Sequence, residues 1–185
     1  MDYQDMDLGQ SGTAAVYAYR GLVFSALNAD SLTAEDLCYA QRYLRILSGF
    51  YGLLKPMDGI WPSRLEMAHN LPEAGSLYSF WGDIIAREIF SETDTVLNLA
   101  SAEYSKVIMP YVPADKRIVS CEFYCMHKGR WRIITTEAKK ARGKMTRWLI
   151  DNRVQRPMDA AEFDLEGYRF DRERSRDDVL KFYKD

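Results

Sequence analysis

The sequence is short of cysteine, histidine and long apolar runs, and each shortage removes a class of protein. Three cysteines in 185 residues are an odd number in a chain too long for a disulfide-stapled scaffold. Cys121 and Cys125, four apart on an expected strand, share a face and read as core thiols. His69 and His127 lie far apart, so no metal site is expected, and a direct iron centre has little to hold it. No run approaches the roughly 20 apolar residues of a membrane helix. The opening residues, MDYQDMDLGQSG, are acidic and polar, unlike a secretory leader. Triad, P-loop and glycine-rich dinucleotide fingerprints are missing too. The expectation is a cytoplasmic monomer with no cofactor and no membrane partner.

What is present is segregated charge. Residues 128–156 carry Lys128, Arg130, Arg132, Lys139, Lys140, Arg142, Lys144, Arg147, Arg153 and Arg156 against only Glu137 and Asp151. The whole chain has a formal net charge of -2, so the rest is correspondingly acidic. Charge set apart in this way suggests a surface built for an anion.

Along the chain, residues 1–13 show little periodicity and are expected to be loose. Ala15–Tyr19 reads as a short strand and residues 22–28 as a brief helix ending near Asn28. Thr33 with Asp36 makes a capping-box pattern ahead of Leu37, Ala40, Leu44 and Leu47. That helix runs to about Ser48, or stops near Tyr43 and leaves residues 44–47 as a buried strand. Residues 48–63 are turn-rich, and Arg64 and Glu66 share a face if they are extended. Residues 76–90 predict one amphipathic helix with Leu77, Phe80, Ile84 and either Trp81 or Ile85 on its stripe. Residues 95–99 predict a strand running into a short helix capped by Ser101.

Residues 118–125 and 131–136 alternate as a hairpin turning at Gly129. The basic helix follows over 138–154. Gly143 within it implies close approach by backbone or ligand, or a break. Pro157 stops it, residues 168–171 form a short strand, and a mixed-charge tail ends the chain. Without repeats or linkers, the pattern predicts a single α/β domain of α+β character: a mixed central β-sheet flanked by helices, with a basic cleft.

Five blocks carry a family resemblance: RYLRILSGFYGLLKPMDGIWPSRLEM (42–67), LYSFWGDII (77–85), NLASAEYSK (98–106), EAKKARGKM (137–145) and EGYRFD (166–171). In this order the chain resembles the YaaA family of bacterial peroxide-stress-response proteins from about residue 14 to its end. Family members normally begin with a further strand and helical segment, so residues 14–185 are expected to form a YaaA-like domain lacking that part. The resemblance implies induction by hydrogen peroxide, restraint of free iron and of iron-dependent damage, and binding to duplex DNA through a positive cleft. It also implies a helix-hairpin-helix element, expected in the upstream part.

Residue chemistry allows two uses of these blocks. Lys139, Lys140, Arg142, Lys144 and Arg147, with Lys55, Arg64 and Lys106, suit non-specific contact with the phosphate backbone of double-stranded DNA. Glu66, Asp83, Glu103 and Arg64 suit an enzyme acting on a nucleotide or other small anion, with Glu66 or Glu103 as general base. Convergence of those acids in one cleft with the basic residues would favour the second use.

Overall fold

The computed structural model describes residues 12–72 and 75–185. Most of the stretch expected to be loose, residues 1–11, lies outside these. Thr13–Ala14 (β1) pairs antiparallel with Gly59–Ile60 (β4).

The central element is a five-stranded mixed sheet built on one long strand, Arg117–His127 (β8). Thr95–Asn98 (β7) runs parallel to its first half. Val179–Lys184 (β11) runs parallel along its other side, and Arg169–Phe170 (β10) pairs antiparallel with β11. Arg130–Arg132 (β9) folds back on the end of β8. Strand β11 comes from the tail that the sequence presents as a charged run. Its pairing with β8 spans more than fifty residues of chain, and no local pattern announces it.

The expected alternation in β8 is real. Val119, Cys121, Phe123 and Cys125 are buried and pack on Ala138, Ala141 and Met145 of the basic helix. Phe163, Tyr168 and Phe182 complete this core, with Phe123 stacked on Phe182 at 5.3 Å. Each ring buried there contributes roughly 1.5–3 kcal/mol. The Cys125 thiol lies 3.1 Å from the buried Tyr168 hydroxyl.

The basic helix, Thr135–Asp151 (α7), begins earlier than its charge pattern suggests, and β9 ends at Arg132 rather than running to residue 136. Helix α7 is unbroken. Gly143 is where Leu22–Leu27 (α2) crosses it: a Cβ there would stand 2.1 Å from the Val23 carbonyl oxygen and 2.7 Å from Ala26 Cβ. Backbone approach, one of the options the glycine left open, is therefore its role.

Helix Ala34–Tyr43 (α3) has both halves of the capping box: Thr33 Oγ1 accepts from Asp36 N–H, and Asp36 accepts from Thr33 N–H at 2.9 Å. It stops at Tyr43, and Ile46–Ser48 (β2) pairs with Gly52–Leu54 (β3), so the shorter of the two helix readings is the observed one.

Two expectations fail. Ala15–Ala18 (α1) is a single helical turn, not a strand. Tertiary hydrogen bonds from Ala15 N–H to Asp58 O and from Val16 N–H to Pro56 O pin it, overriding its β-prone composition. Residues 76–90 form two helices, Leu77–Trp81 (α4) and Ile84–Glu92 (α5), because Gly82 takes φ 48° and breaks the run. The break turns the proposed stripe. Phe80 and Ile84 are 55% and 50% exposed, while Leu77, Ile85, Ala86, Ile89 and Phe90 are buried.

A second core, around α5, Met67 and Val107, meets the sheet through Val96 and Ile118. None of the described helices is long and apolar enough to cross a membrane.

Candidate functional site

The β8–β9 hairpin concentrates uncompensated positive charge. Its turn residues, Lys128 and Gly129, both have positive φ (49° and 74°), as a two-residue turn matched to strand twist requires. Register pairs Cys125 with Arg132, Met126 with Trp131 and His127 with Arg130. Pleating therefore sends His127, Arg130 and Arg132 to the α7 face and Met126 and Trp131 to the other. His127, Lys128, Arg130 and Arg132 line a concavity of about 410 Å³ that contains no acidic side chain. Among the described residues none of the four has an ion-pair partner. Like charges held side by side on paired strands repel, and a bound anion relieves that repulsion. The basic stretch of the sequence contains these residues, but helix periodicity drew attention to its other half.

Helix α7 is different. Lys140 pairs with Glu137 at 3.0 Å, Lys144 with Glu166 at 3.7 Å and Arg147 with Asp151 at 2.7 Å. Arg147 also donates to the Asn28 carbonyl and Ser31 Oγ, tying α7 to the end of α2. Hydrogen bonding by Lys140 and the nearby Lys184 hold the Glu137 carboxyl below the usual range. Arg142 is half-buried with its Nε lacking a hydrogen-bond partner. Burial lowers its proton affinity, and Cys121 lies beside it. Lys139 is exposed without an ion pair among the described residues. Farther off, Lys55 pairs with Glu92 at 2.9 Å, Lys106 sits 4.6 Å over the Tyr78 ring, and Arg64 is exposed. Exposed pairs contribute about 0–1 kcal/mol each, so they open easily, but they cancel much of the field around α7.

The acids converge only in part. Glu103 Oε1 accepts from Ala68 N–H at 3.1 Å, and Tyr78 donates to the Glu103 carbonyl at 3.0 Å. Burial, then the charges of Glu103 and Glu66, push the Tyr104 phenol up. The buried Tyr19 hydroxyl, also close to Tyr104, makes no hydrogen bond of normal geometry. The SGFYG loop closes over this corner, with Gly49 against the Leu65 carbonyl: a Cβ would stand 2.4 Å from it. Asp83 instead faces Arg87 at 3.2 Å on the exposed start of α5. Arg64 and Glu66 are both exposed, and no strand forms there.

All three cysteines are free; Cys38 is exposed, and Cys121 and Cys125 are buried. Burial pushes the Cys121 thiol up, away from the thiolate that reacts with peroxide. Among the described residues no three His, Cys, Asp or Glu side chains are grouped to hold a metal ion.

A family model described as "Peroxide stress protein YaaA" matches residues 1–174. A UPF0246 protein of Maricaulis maris is 44% identical over 188 residues, covering 97% of this chain and 71% of that protein. One from Lactobacillus johnsonii is 43% identical over 166 residues, covering 89% and 66%. Another, from Limosilactobacillus reuteri, is 40% identical over 181 residues, covering 97% and 73%. The chain spans about two thirds to three quarters of the length of these relatives. The five sequence blocks and the match across most of the chain agree: it belongs to the YaaA (UPF0246) family of peroxide stress proteins.

Proposed function

We propose that the chain serves the peroxide stress response by associating with double-stranded DNA, non-specifically and through the phosphate backbone, and so limits iron-dependent damage to it. The observation that carries this reading is the hairpin concavity, where Lys128, Arg130 and Arg132 stand with His127 and no acid. Lys139, exposed in the helix that follows the hairpin, is a further cation without an ion pair among the described residues. Such a surface binds phosphates without reading bases, so affinity must fall linearly in a plot of log K against log salt. The test is fluorescence anisotropy of a labelled random-sequence duplex across a salt series. A steep slope with no sequence preference supports the reading. A folded chain that leaves the duplex unbound at low salt refutes it.

A second reading, an enzyme acting on a nucleotide or other small anion, draws on a different corner. Glu66, Glu103 and Tyr104 lie together there, with Arg64 exposed on the same segment as Glu66. A carboxylate beside phenols could abstract a proton, and Arg64 could hold the anion. Thermal stabilisation by nucleotides that is lost in Arg64→Ala would favour it. No stabilisation by any nucleotide at millimolar concentration would end it.

A further inference from the structure

Among the described residues, the sheet face opposite α7 is only half-buried over the second half of β8. Pleat and register bring Tyr124 and Met126 of β8, Lys181 and Tyr183 of β11 and Trp131 of β9 to this one side. None of these side chains belongs to any of the four apolar cores. Tyr124 and Tyr183 stack at 4.9 Å with planes 11° apart, and Trp131 meets Tyr183 edge-to-face at 5.0 Å. Cations rim the rings: Arg174 lies 5.1 Å over Tyr183 and Lys181 5.7 Å over Tyr124. The acids beside these cations are engaged: Asp171 pairs with Arg174, and Glu122 is held by the Tyr124 hydroxyl at 2.7 Å and by Lys181 at 3.9 Å.

We infer that this face is a stacking platform for the unpaired bases of a single-stranded nucleic acid, with Trp131 as its leading ring. Three aromatic side chains left half-buried forgo part of the gain of burial, so a cover is favoured, and the surroundings select its chemistry. An ordinary protein interface is depleted of charge at its centre, whereas here cations sit directly over the rings. A duplex keeps the faces of its bases stacked internally and offers the indole nothing to stack on. An unpaired strand brings flat π-faces and phosphates together. The hairpin also supplies continuity. Trp131 lies between Arg130 and Arg132 in sequence and points to the opposite face, so a strand crossing the hairpin edge meets phosphate-binding cations and then the indole. This platform does not depend on duplex binding, which is assigned to the other side of the sheet.

The test is anisotropy of a labelled oligothymidylate of about fifteen nucleotides, the span of a typical single-strand site. An abasic strand of equal length and the duplex serve as parallel probes. Base stacking predicts oligothymidylate binding at least ten-fold tighter than the abasic strand, with indole fluorescence quenched as the site fills. Trp131→Ala should remove at least ten-fold of that affinity and leave duplex affinity within about two-fold, consistent with the cost of losing one stacked base. Tyr183→Phe, which keeps the ring, should bind like the parent. An oligouridylate arm tells an RNA source from a DNA one. Equal affinity for the abasic strand and oligothymidylate overturns the platform, because charge alone would then explain binding. So does an unquenched indole in the parent chain, a result that needs no variant to fold.

Discussion

The hairpin and the helix of the basic stretch invite comparison, since the sequence presents them as one feature and the fold separates them. In α7, Lys140, Lys144 and Arg147 face Glu137, Glu166 and Asp151, and Arg142 turns inward against Cys121. In the hairpin, Lys128, Arg130 and Arg132 face no acid among the described residues. A dense basic sequence is therefore not the same thing as a strong positive field. Helical spacing at i,i+3 and i,i+4 supplies acids to a helix's own cations. A two-residue hairpin that presents alternate residues to one face has no such supply.

The largest effect should come from inverting the hairpin. Arg130→Glu/Arg132→Glu places two acids in the concavity and should lower duplex affinity by more than a hundred-fold at low salt, read by anisotropy. Retention of binding in that variant would return the phosphate contact to α7.

Next is the seam that holds α7 in place. Gly143→Ala would gain about 1 kcal/mol of helix propensity, but its methyl must enter the space of the Val23 carbonyl. Overpacking of this kind costs about 1–3 kcal/mol, and backbone atoms yield less than side chains. A net loss of roughly 1–2 kcal/mol in urea unfolding is expected. A gain would mean that α2 is free to move away.

A smaller effect belongs to the cap of α3. Hydrogen bonding by Thr33 N–H and hydroxyl, then Arg153, lowers the Asp36 carboxyl from 3.8 to about 2. A depressed carboxyl stabilises the fold above its unfolded value and loses that contribution as pH falls toward its folded value. Stability should therefore decline between about pH 4 and pH 2 in part through Asp36, and Asp36→Asn should flatten that limb. Thr33→Ala should cost about 1 kcal/mol at neutral pH. Smallest of all, Lys140→Ala should change stability by no more than about 0.5 kcal/mol.

Local chemistry was the legible part of the fold. The capping box of Thr33 and Asp36, the hairpin turn at Gly129 and the paired burial of Cys121 and Cys125 each follow from residues close in sequence. The errors arose where distant contacts decide. Ala15–Ala18 is a helical turn because residues 56 and 58 bind its amides. Strand β11 exists because β8 offers it an edge, while alone it reads as a charged tail. Gly82 was a readable exception: a glycine amid apolar residues signalled the break between α4 and α5, and periodicity on both sides masked it. For the candidate site, composition marked the basic stretch, but only pairing in space distinguishes Lys128, Arg130 and Arg132 from the cations of α7. The grouping of Glu66 with Glu103, and the separation of Asp83 from them, likewise depend on how α4 and the helical turn Ala102–Ser105 (α6) pack.

The most direct measurement sets the two regions against each other. Duplex binding across a salt series would be compared for the parent, Lys128→Ala/Arg130→Ala/Arg132→Ala and Lys139→Ala/Lys140→Ala/Lys144→Ala. Each phosphate contact contributes about 0.9 to the slope of log K against log salt. The hairpin variant should lose about 2–3 units of slope and the helix variant about 1, chiefly through Lys139. Equal slopes for the parent and the hairpin variant, with the helix variant shallow, would contradict the assignment of the phosphate contact to the hairpin.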